Sequence, residues 1–332
     1  MSFNRIARAA AVLLLPWSVP AVAGEAPVPG LATEAVVLPE DLGEIADLGP
    51  LVFRGGLTIT TPDPKFWGWS GVWVSPDGKE LVGVENGRWI KAKLSYDAQG
   101  NLSGFDPAAV GALHDALGRE LSGEEDTDSE GLDFDGHDFI VGFETNDRVL
   151  RYRDIDGPGV PLRIPQTILA PIFRGAGFSS VVALADGSTL AIPEYSYADA
   201  EKREYGRWPA RGWLEMPHGA GPIALRGAFP AMPVSIAQLP GGDLLTVELR
   251  LDGVSATVDE AWIGIVPKEE IAIGNTMTPR QIAKFAPPMP AWRIEGTSAR
   301  VGDHGETLIY IMTTSTPPRL YMFELPSKES GQ

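Results

Sequence analysis

The chain has 332 residues, 27 Lys and Arg against 44 Asp and Glu for a formal net charge of −17, and no cysteine. So acidic a protein is a poor partner for nucleic acid or an anionic membrane, and an anionic substrate would need a metal or a local arginine cluster to offset the field. Without cysteine there are no disulfides, so stability has to come from core burial.

The first residues read MSFNRIARAAAVLLLPWSVPAVAGEA. Arg5 and Arg8, an apolar run and Ala21-Val22-Ala23 before Gly24 make the three-part pattern of a secretory signal over residues 1–23. Pro16 and Pro20 speak against a buried helix there, and no cysteine stands at the cleavage point to carry a lipid. No later stretch reaches the roughly 18 apolar residues of a membrane span, so the mature chain is expected in the periplasm or outside the cell. Residues 24–44 read as an N-terminal segment that supplies a closing strand, 45–325 as one domain and 326–332 as a tail.

From there on, 38 Gly and 29 Pro punctuate runs rich in Val, Ile and Leu, which points to many short strands. Four segments align: 70-SGVWVSPDGKELVGVE-85, 130-EGLDFDGHDFIVGFE-144, 179-SSVVALADGSTLAIPE-194 and 234-VSIAQLPGGDLLTVE-248. A fifth, 295-EGTSARVGDHGETLIYIM-312, shares their start. Each opens with a small residue (Gly71, Gly131, Ser180, Ser235, Gly296), followed by a strand, a Gly/Asp turn and a second strand. In the first four that second strand ends in Glu85, Glu144, Glu194 or Glu248. One hairpin about every 50–60 residues predicts an all-β protein, a β-propeller of six blades, with five or seven as alternatives. The sixth blade is expected from residues 32–60 with the C-terminal strand 319-RLYMFEL-325, which would close the ring and remove exposed edges.

Two short helical inserts are predicted, over 106-DPAAVGALHDALGREL-121 and 278-TPRQIAKF-285, because each begins with a capping residue followed by Pro. The stretch 199-DAEKREYGRWPARGWLEMPHGAGP-222 is either a loop over one face of the ring or a hairpin on a blade's outer edge. Trp67, Trp69, Trp73 and Trp89 suit blade cores, and also sugar or aromatic stacking.

The segments GGLTI…SGVWVSPDGKELVGVENGR, SEGLDFDG…VGFETNDRVLRY, PVSIAQLPGGDLLTVELR and EGTSARV resemble the bacterial "esterase-like activity of phytase" family, over about residues 45–325. That resemblance implies an exported β-propeller and an ester or phosphoester hydrolase. The sequence departs from a full acidic ring at two places. The first column has Val234 in the fourth repeat, and the fifth repeat ends its second strand without Glu.

Candidate chemistry begins at 124-EEDTDSEGLDFDGHDFIVGFE-144. Asp126, Asp128, Glu130 and Gly131 imitate the start of an EF-hand loop, but its twelfth position is His137 where a bidentate Glu is needed, and the flanks are strand-like. The repeat register offers another use. Glu130 and Glu295 both stand just before the small residue that opens an innermost strand, so both are expected at the central channel. With Asp126 and Asp128 they could hold a hard divalent cation such as Ca²⁺; the plainer alternative is that they bond nearby backbone N–H groups. A second column pairs Glu85 with Arg88, Glu144 with Arg148 and Glu248 with Arg250. These arginines, and Arg300, could clamp an anionic substrate, although ion pairing between repeats is the commoner use of such a column.

No G-x-S-x-G elbow, Walker A loop or HExxH motif is present, and the four histidines are scattered. His114 falls in the first helical insert, and His137 and His304 fall in turns. The resemblance implies hydrolysis of a small-molecule ester or phosphoester, and if the chain is such a hydrolase the most economical mechanism uses a bound cation, with Glu130 and Glu295 as ligand or base. The competing reading is a non-catalytic propeller presenting a binding surface at its mouth. Converging carboxylates around an open cavity would favour the enzyme; a plugged, apolar channel would favour the scaffold.

Overall fold

The computed structural model describes residues 32–36, 47–61, 68–170, 172, 175–194, 209–227, 231–251, 258–286 and 294–326. The expected signal over 1–23, most of the 24–44 segment, Trp67 and nearly all of the tail lie outside the described residues.

Two strands come first, β1 (Ala32–Ala35) and β2 (Val52–Thr60). Blade 1 then runs outward from the axis as β3 (Gly71–Val74), β4 (Glu80–Glu85), β5 (Arg88–Tyr96) and β6 (Leu102–Ala112). After one helical turn, α1 (Glu124–Thr127), blade 2 comprises β7 (Ser129–Phe134), β8 (Phe139–Phe143), β9 (Arg148–Tyr152) and β10 (Gly159–Pro161). A second single turn, α2 (Gln166–Leu169), precedes blade 3: β11 (Ser180–Ala183), β12 (Thr189–Ile192), β13 (Ala210–Met216) and β14 (Gly219–Leu225). Blade 4 contains β15 (Ala231–Gln238), β16 (Leu244–Leu251), β17 (Val258–Val266) and β19 (Arg280–Phe285). Between its last two strands the chain lends β18 (Thr276–Met277), in parallel, to the edge of β14. Blade 5 is β20 (Ile294–Val301), β21 (Thr307–Thr313) and β22 (Arg319–Leu325), completed by β2 and β1.

The described residues thus form a five-bladed propeller. Its ring closes where inner strands β3, β7, β11, β15 and β20 each touch the next and β20 returns to β3. The count is thus the five-bladed alternative and not six, for a structural reason. β2 pairs with β22, as closure requires, but both join the β20–β21 hairpin instead of forming a sheet of their own.

Each gap between neighbouring blades holds one apolar cluster. Leu57, Val72, Ile90 and Met322 lie between blades 5 and 1, and Val84, Trp89, Leu132 and Phe143 between blades 1 and 2. Ile140, Phe178 and Val181 fill the next gap, Leu190, Ile223 and Leu244 the one after, and Val247, Ile263, Ile309 and Phe323 the last. A strand between two gaps is buried on both faces, so it reads as a continuous apolar run such as FIVGF or TLIYIMT. The tryptophans follow this rule. Trp69 stacks on Phe105 with centroids 5.5 Å apart, Trp73 meets Phe134 at 5.1 Å, and Trp89 is buried with its indole N–H bonded to the Ala112 carbonyl.

Neither predicted helix forms. Residues 106–112 belong to β6, with Pro107 opposite Ala92 beside a bulge on the outermost strand, where its missing N–H leaves no ladder bond unmade. Residues 280–285 are β19, paired with β17 and burying Ala283 and Phe285. In both cases sheet pairing overrides a local capping signal. Of the 199–222 stretch, the described part forms the β13–β14 hairpin on the outer half of blade 3.

The small residues that open the inner strands mark the closest approach of the blades. A Cβ added to Gly71, Gly131 or Gly296 would stand 2.7, 2.7 and 2.8 Å from the carbonyl oxygens of Glu130, Ser179 and Ser70 in the next blade. Gly131→Ala is therefore expected to destabilise the fold by about 1–3 kcal/mol through overpacking. Gly241→Ala, whose Cβ meets nothing, should stay near neutral. Urea midpoints at constant m-value measure both, and equal midpoints would contradict the close packing of the inner strands.

Candidate functional site

The residue before each opening small residue is the one the ring turns toward its axis. Ser70, Glu130, Ser179, Val234 and Glu295, one from each blade, all line a single hub cavity of about 560 Å³. Glu85, Glu144 and Glu194, at or just beyond the ends of β4, β8 and β12, line it too, with Asp128 from the entry to β7 and Thr314, Ser315 and Thr316 from the loop after β21. Six carboxylates therefore face one space, and no Lys, Arg or His among the described residues lines it.

Local structure explains the aim of several of these groups. Asn86 and Gly87 both have positive φ, at 48° and 73°, so β4 and β5 join in a tight two-residue turn. That turn pairs Glu85 with Arg88 and delivers Glu85 to the hub. The Glu85 carboxylate accepts bonds from the Ser70 backbone N–H at 3.1 Å, from the Ser70 hydroxyl, and from Asn86 Nδ2 at 2.5 Å. Ser70 Oγ also lies 3.1 Å from Glu295 Oε2, so one serine ties two glutamates from two blades. Across the cavity Glu144 and Glu194 share a hydrogen bond. Asp128 is held by the backbone N–H of Thr145 at 3.1 Å and by the Thr145 hydroxyl.

Electrostatics follow from this crowding. Burial, partly offset by the Ser70 bonds and reinforced by Glu295, pushes Glu85 up to about 7. Burial and then Glu295 push Glu194 up to about 8. Glu130 is raised well above the usual carboxylate range by burial, then by Glu85 and Glu295. Glu144 is raised likewise by burial, then by Glu194 and Glu130. Each of these shifts favours the protonated form of its carboxyl group. Among the described residues no three acids or histidines already stand together as a ligand set for one ion.

Sequence reasoning thus finds Glu130, Glu295 and Asp128 at the hub, while Asp126 turns away and lines a second cavity. None of the four candidate arginines lines the hub. Arg88 is exposed at the β4–β5 turn. Arg148 lines the second cavity. Arg250 bonds Glu260 at 3.0 Å and lies over Trp262. Burial opposes ionisation of Glu260, but Lys284, Trp262 and Arg250 outweigh it and hold the carboxyl down to about 2. Arg300 bonds the Tyr310 hydroxyl at 2.9 Å, five residues and about 17 Å along the strand from Glu295. Glu85 and Glu144, which the arginine column placed near a rim, and Glu194 are hub residues that the candidate site left out; their signal was the recurring Glu of the second strand. His137 and His304 sit in turns whose N–H groups bond Asp135 and Glu306. His114, placed by its sequence in a helix, forms a bridge beside the second cavity.

A model of the family described as "Phytase-like: Esterase-like activity of phytase" matches residues 64–311. No curated protein matches the chain significantly. Among solved structures, it is similar to the iodide and calcium structures of Trichoderma reesei Carbohydrate-Active Enzymes Family AA12. The iodide form has 9% identity over 91% of this chain and 98% of that one, with a TM-score of 0.47. The calcium form has 10% identity over 91% and 97%, with a TM-score of 0.44. It is also similar to the PQQ-bound aldose sugar dehydrogenase of Streptomyces coelicolor, at 12% identity over 90% and 99% with a TM-score of 0.40. Likenesses this distant carry no conclusion about chemistry. Among the described residues no helix is long and apolar enough to cross a membrane.

The raised carboxyl groups have a consequence for stability. A folded pKa above the unfolded value of 4.5 means that the native state binds more protons, so the contribution is full below about pH 4.5 and is lost as pH rises through about 7 for Glu85 and about 8 for Glu194. In EDTA the melting temperature should fall between pH 5 and pH 8, and Glu194→Gln should flatten that fall. A melting temperature that rises over the same interval would contradict the crowded ring.

Proposed function

The chain belongs to the phytase-like family described as esterase-like activity of phytase, and we propose that it hydrolyses a small-molecule ester or phosphoester in its hub cavity with the help of a divalent cation of the calcium class. One observation carries this reading: six carboxylates face an open cavity whose described lining includes no cationic side chain. Oxygen donors in such number are what a hard cation takes, and Glu130, Glu295 and Asp128 are the residues assigned to hold it. The donor chemistry fits, while the ligand set is not drawn together in advance, so binding would have to gather these side chains. When bound, the cation neutralises the acidic wall and polarises a substrate oxygen.

The remaining steps belong to the chain. Ser70, bonded to Glu85 and Glu295, keeps those carboxyl groups oriented. Glu85, pushed up to about 7, is poised to take a proton from an attacking water near neutral pH. The Glu144–Glu194 pair holds a shared proton that can pass to the leaving oxygen, the division of labour expected when two neighbouring carboxyls cannot both ionise. Val234 leaves one side of the ring apolar, and there the non-reacting part of a substrate can rest.

The test uses the purified full chain on p-nitrophenyl phosphate and p-nitrophenyl acetate, each with added Ca²⁺ and with EDTA. Turnover of at least one substrate is expected with Ca²⁺ and not with EDTA. Glu130→Gln should lower kcat by at least about 100-fold. Turnover indifferent to EDTA would remove the cation. No turnover in any arm would remove hydrolysis and leave the competing reading, a propeller that binds without reacting.

A further inference from the structure

Beside the hub lies a second cavity of about 620 Å³, whose wall includes Leu117, Arg119, Leu121, Asp126, Arg148 and Pro161. The α1 turn divides the two spaces. Asp128 faces the hub and Asp126 faces the second cavity, two residues and at most about 7 Å apart along the chain. We propose that this second cavity binds an organic anion, an oxyanion head on an apolar body, with Arg148 as the anchor of the head.

The state of Arg148 carries the inference. Its guanidinium lies over the fully buried Phe143 ring, 3.9 Å from the centroid. It donates to two backbone carbonyls, those of Asp126 at 2.6 Å and Asn146 at 3.4 Å, and bonds no carboxylate among the described residues. Arg54, Arg119, Arg151 and Arg250 each hold a carboxylate. The nearest acid, Asp126, bonds the Asn146 amide at 3.0 Å instead. Two of the five N–H groups of Arg148 are thus occupied by neutral acceptors, which leaves a half-buried cation with donors to spare in a cavity wall. A guanidinium in that condition matches a carboxylate or phosphate through its planar fork.

The rest of the wall selects for the body of the ligand. Leu117 stands 76% exposed at the lip, and Leu121 and Pro161 add apolar surface. Asp115 is bonded by Arg119, so its charge is met. Glu120 and Asp126 remain to oppose an anion, which makes the affinity sensitive to salt and favours a ligand that also buries apolar surface. The site does not depend on the hub reading, because it is a matter of binding alone.

Isothermal titration of the full chain in EDTA at low salt, with hexylphosphonate and separately with hexanoate, tests it; the two arms tell a phosphate-type head from a carboxylate. At least one probe should bind one to one. Arg148→Gln should weaken it at least about tenfold, the worth of a charge-assisted bond. Since Arg148 also packs on Phe143, exposed Leu117 supplies an independent arm: Leu117→Glu should weaken binding and Leu117→Lys should tighten it. Glu130→Gln, at the hub, should leave it unchanged. The proposal is overturned if neither probe binds, if binding ignores both Arg148→Gln and the charge placed at 117, or if Glu130→Gln abolishes it.

Discussion

Six carboxylates share the hub, and like charges about 4 Å apart repel by ~4 kcal/mol at an effective dielectric of 20. They cannot all ionise without a counter-charge. Burial and mutual repulsion raise Glu85, Glu130, Glu144 and Glu194 and so favour their protonated forms, while Ser70 bridges Glu85 and Glu295. A cation would answer the same constraint differently, by letting every carboxyl lose its proton. A cation bound at the hub, as proposed, would therefore compete with protons for the same carboxyl groups.

What holds the acids together against this repulsion is the packing behind them. The inner strands of neighbouring blades approach until the glycine of one lies against the carbonyl of the next, at Gly296 on Ser70, Gly71 on Glu130 and Gly131 on Ser179. Apolar clusters fill every gap between blades, and strands such as β8, β9, β12 and β21 contribute to the gaps on both sides. The close approach that excludes larger side chains is also what brings the preceding residues toward one axis. Fold and site are in this respect one arrangement, since opening the ring would separate the carboxylates.

Outside the hub, charge behaves as surface charge usually does. Arg250, Glu260 and Lys284 make a local network on blade 4, and Arg300 ties β20 to Tyr310 beside Tyr96 of blade 1. The arginines of the column proposed from the repeats, like Arg300, all stand apart from the hub. Strand register puts Glu85 and Arg88, and Glu144 and Arg148, on opposite sides of a turn, and the two glutamates line the hub, whereas Glu248 and Arg250 share one strand and neither lines it. Arg148 alone among the four lines a cavity named here, and it is not the hub.

The repeat of small residue, strand, turn and strand determined the propeller and placed Glu130 and Glu295 at its axis, because the period-two alternation of a strand and the recurrence of the hairpin are both written along the chain. The number of blades was not legible: whether β2 and β22 build a sheet or complete the β20–β21 hairpin depends on pairing between chain segments more than 200 residues apart. The same holds for residues 106–112 and 280–285, where local capping signals favour helix and an available sheet edge decides for strand. Only the tertiary structure decided that Glu85, Glu144 and Glu194 join the acidic ring while Asp126 and the arginines leave it. A side chain's neighbours across an axis come from other blades, and no local pattern encodes that distance.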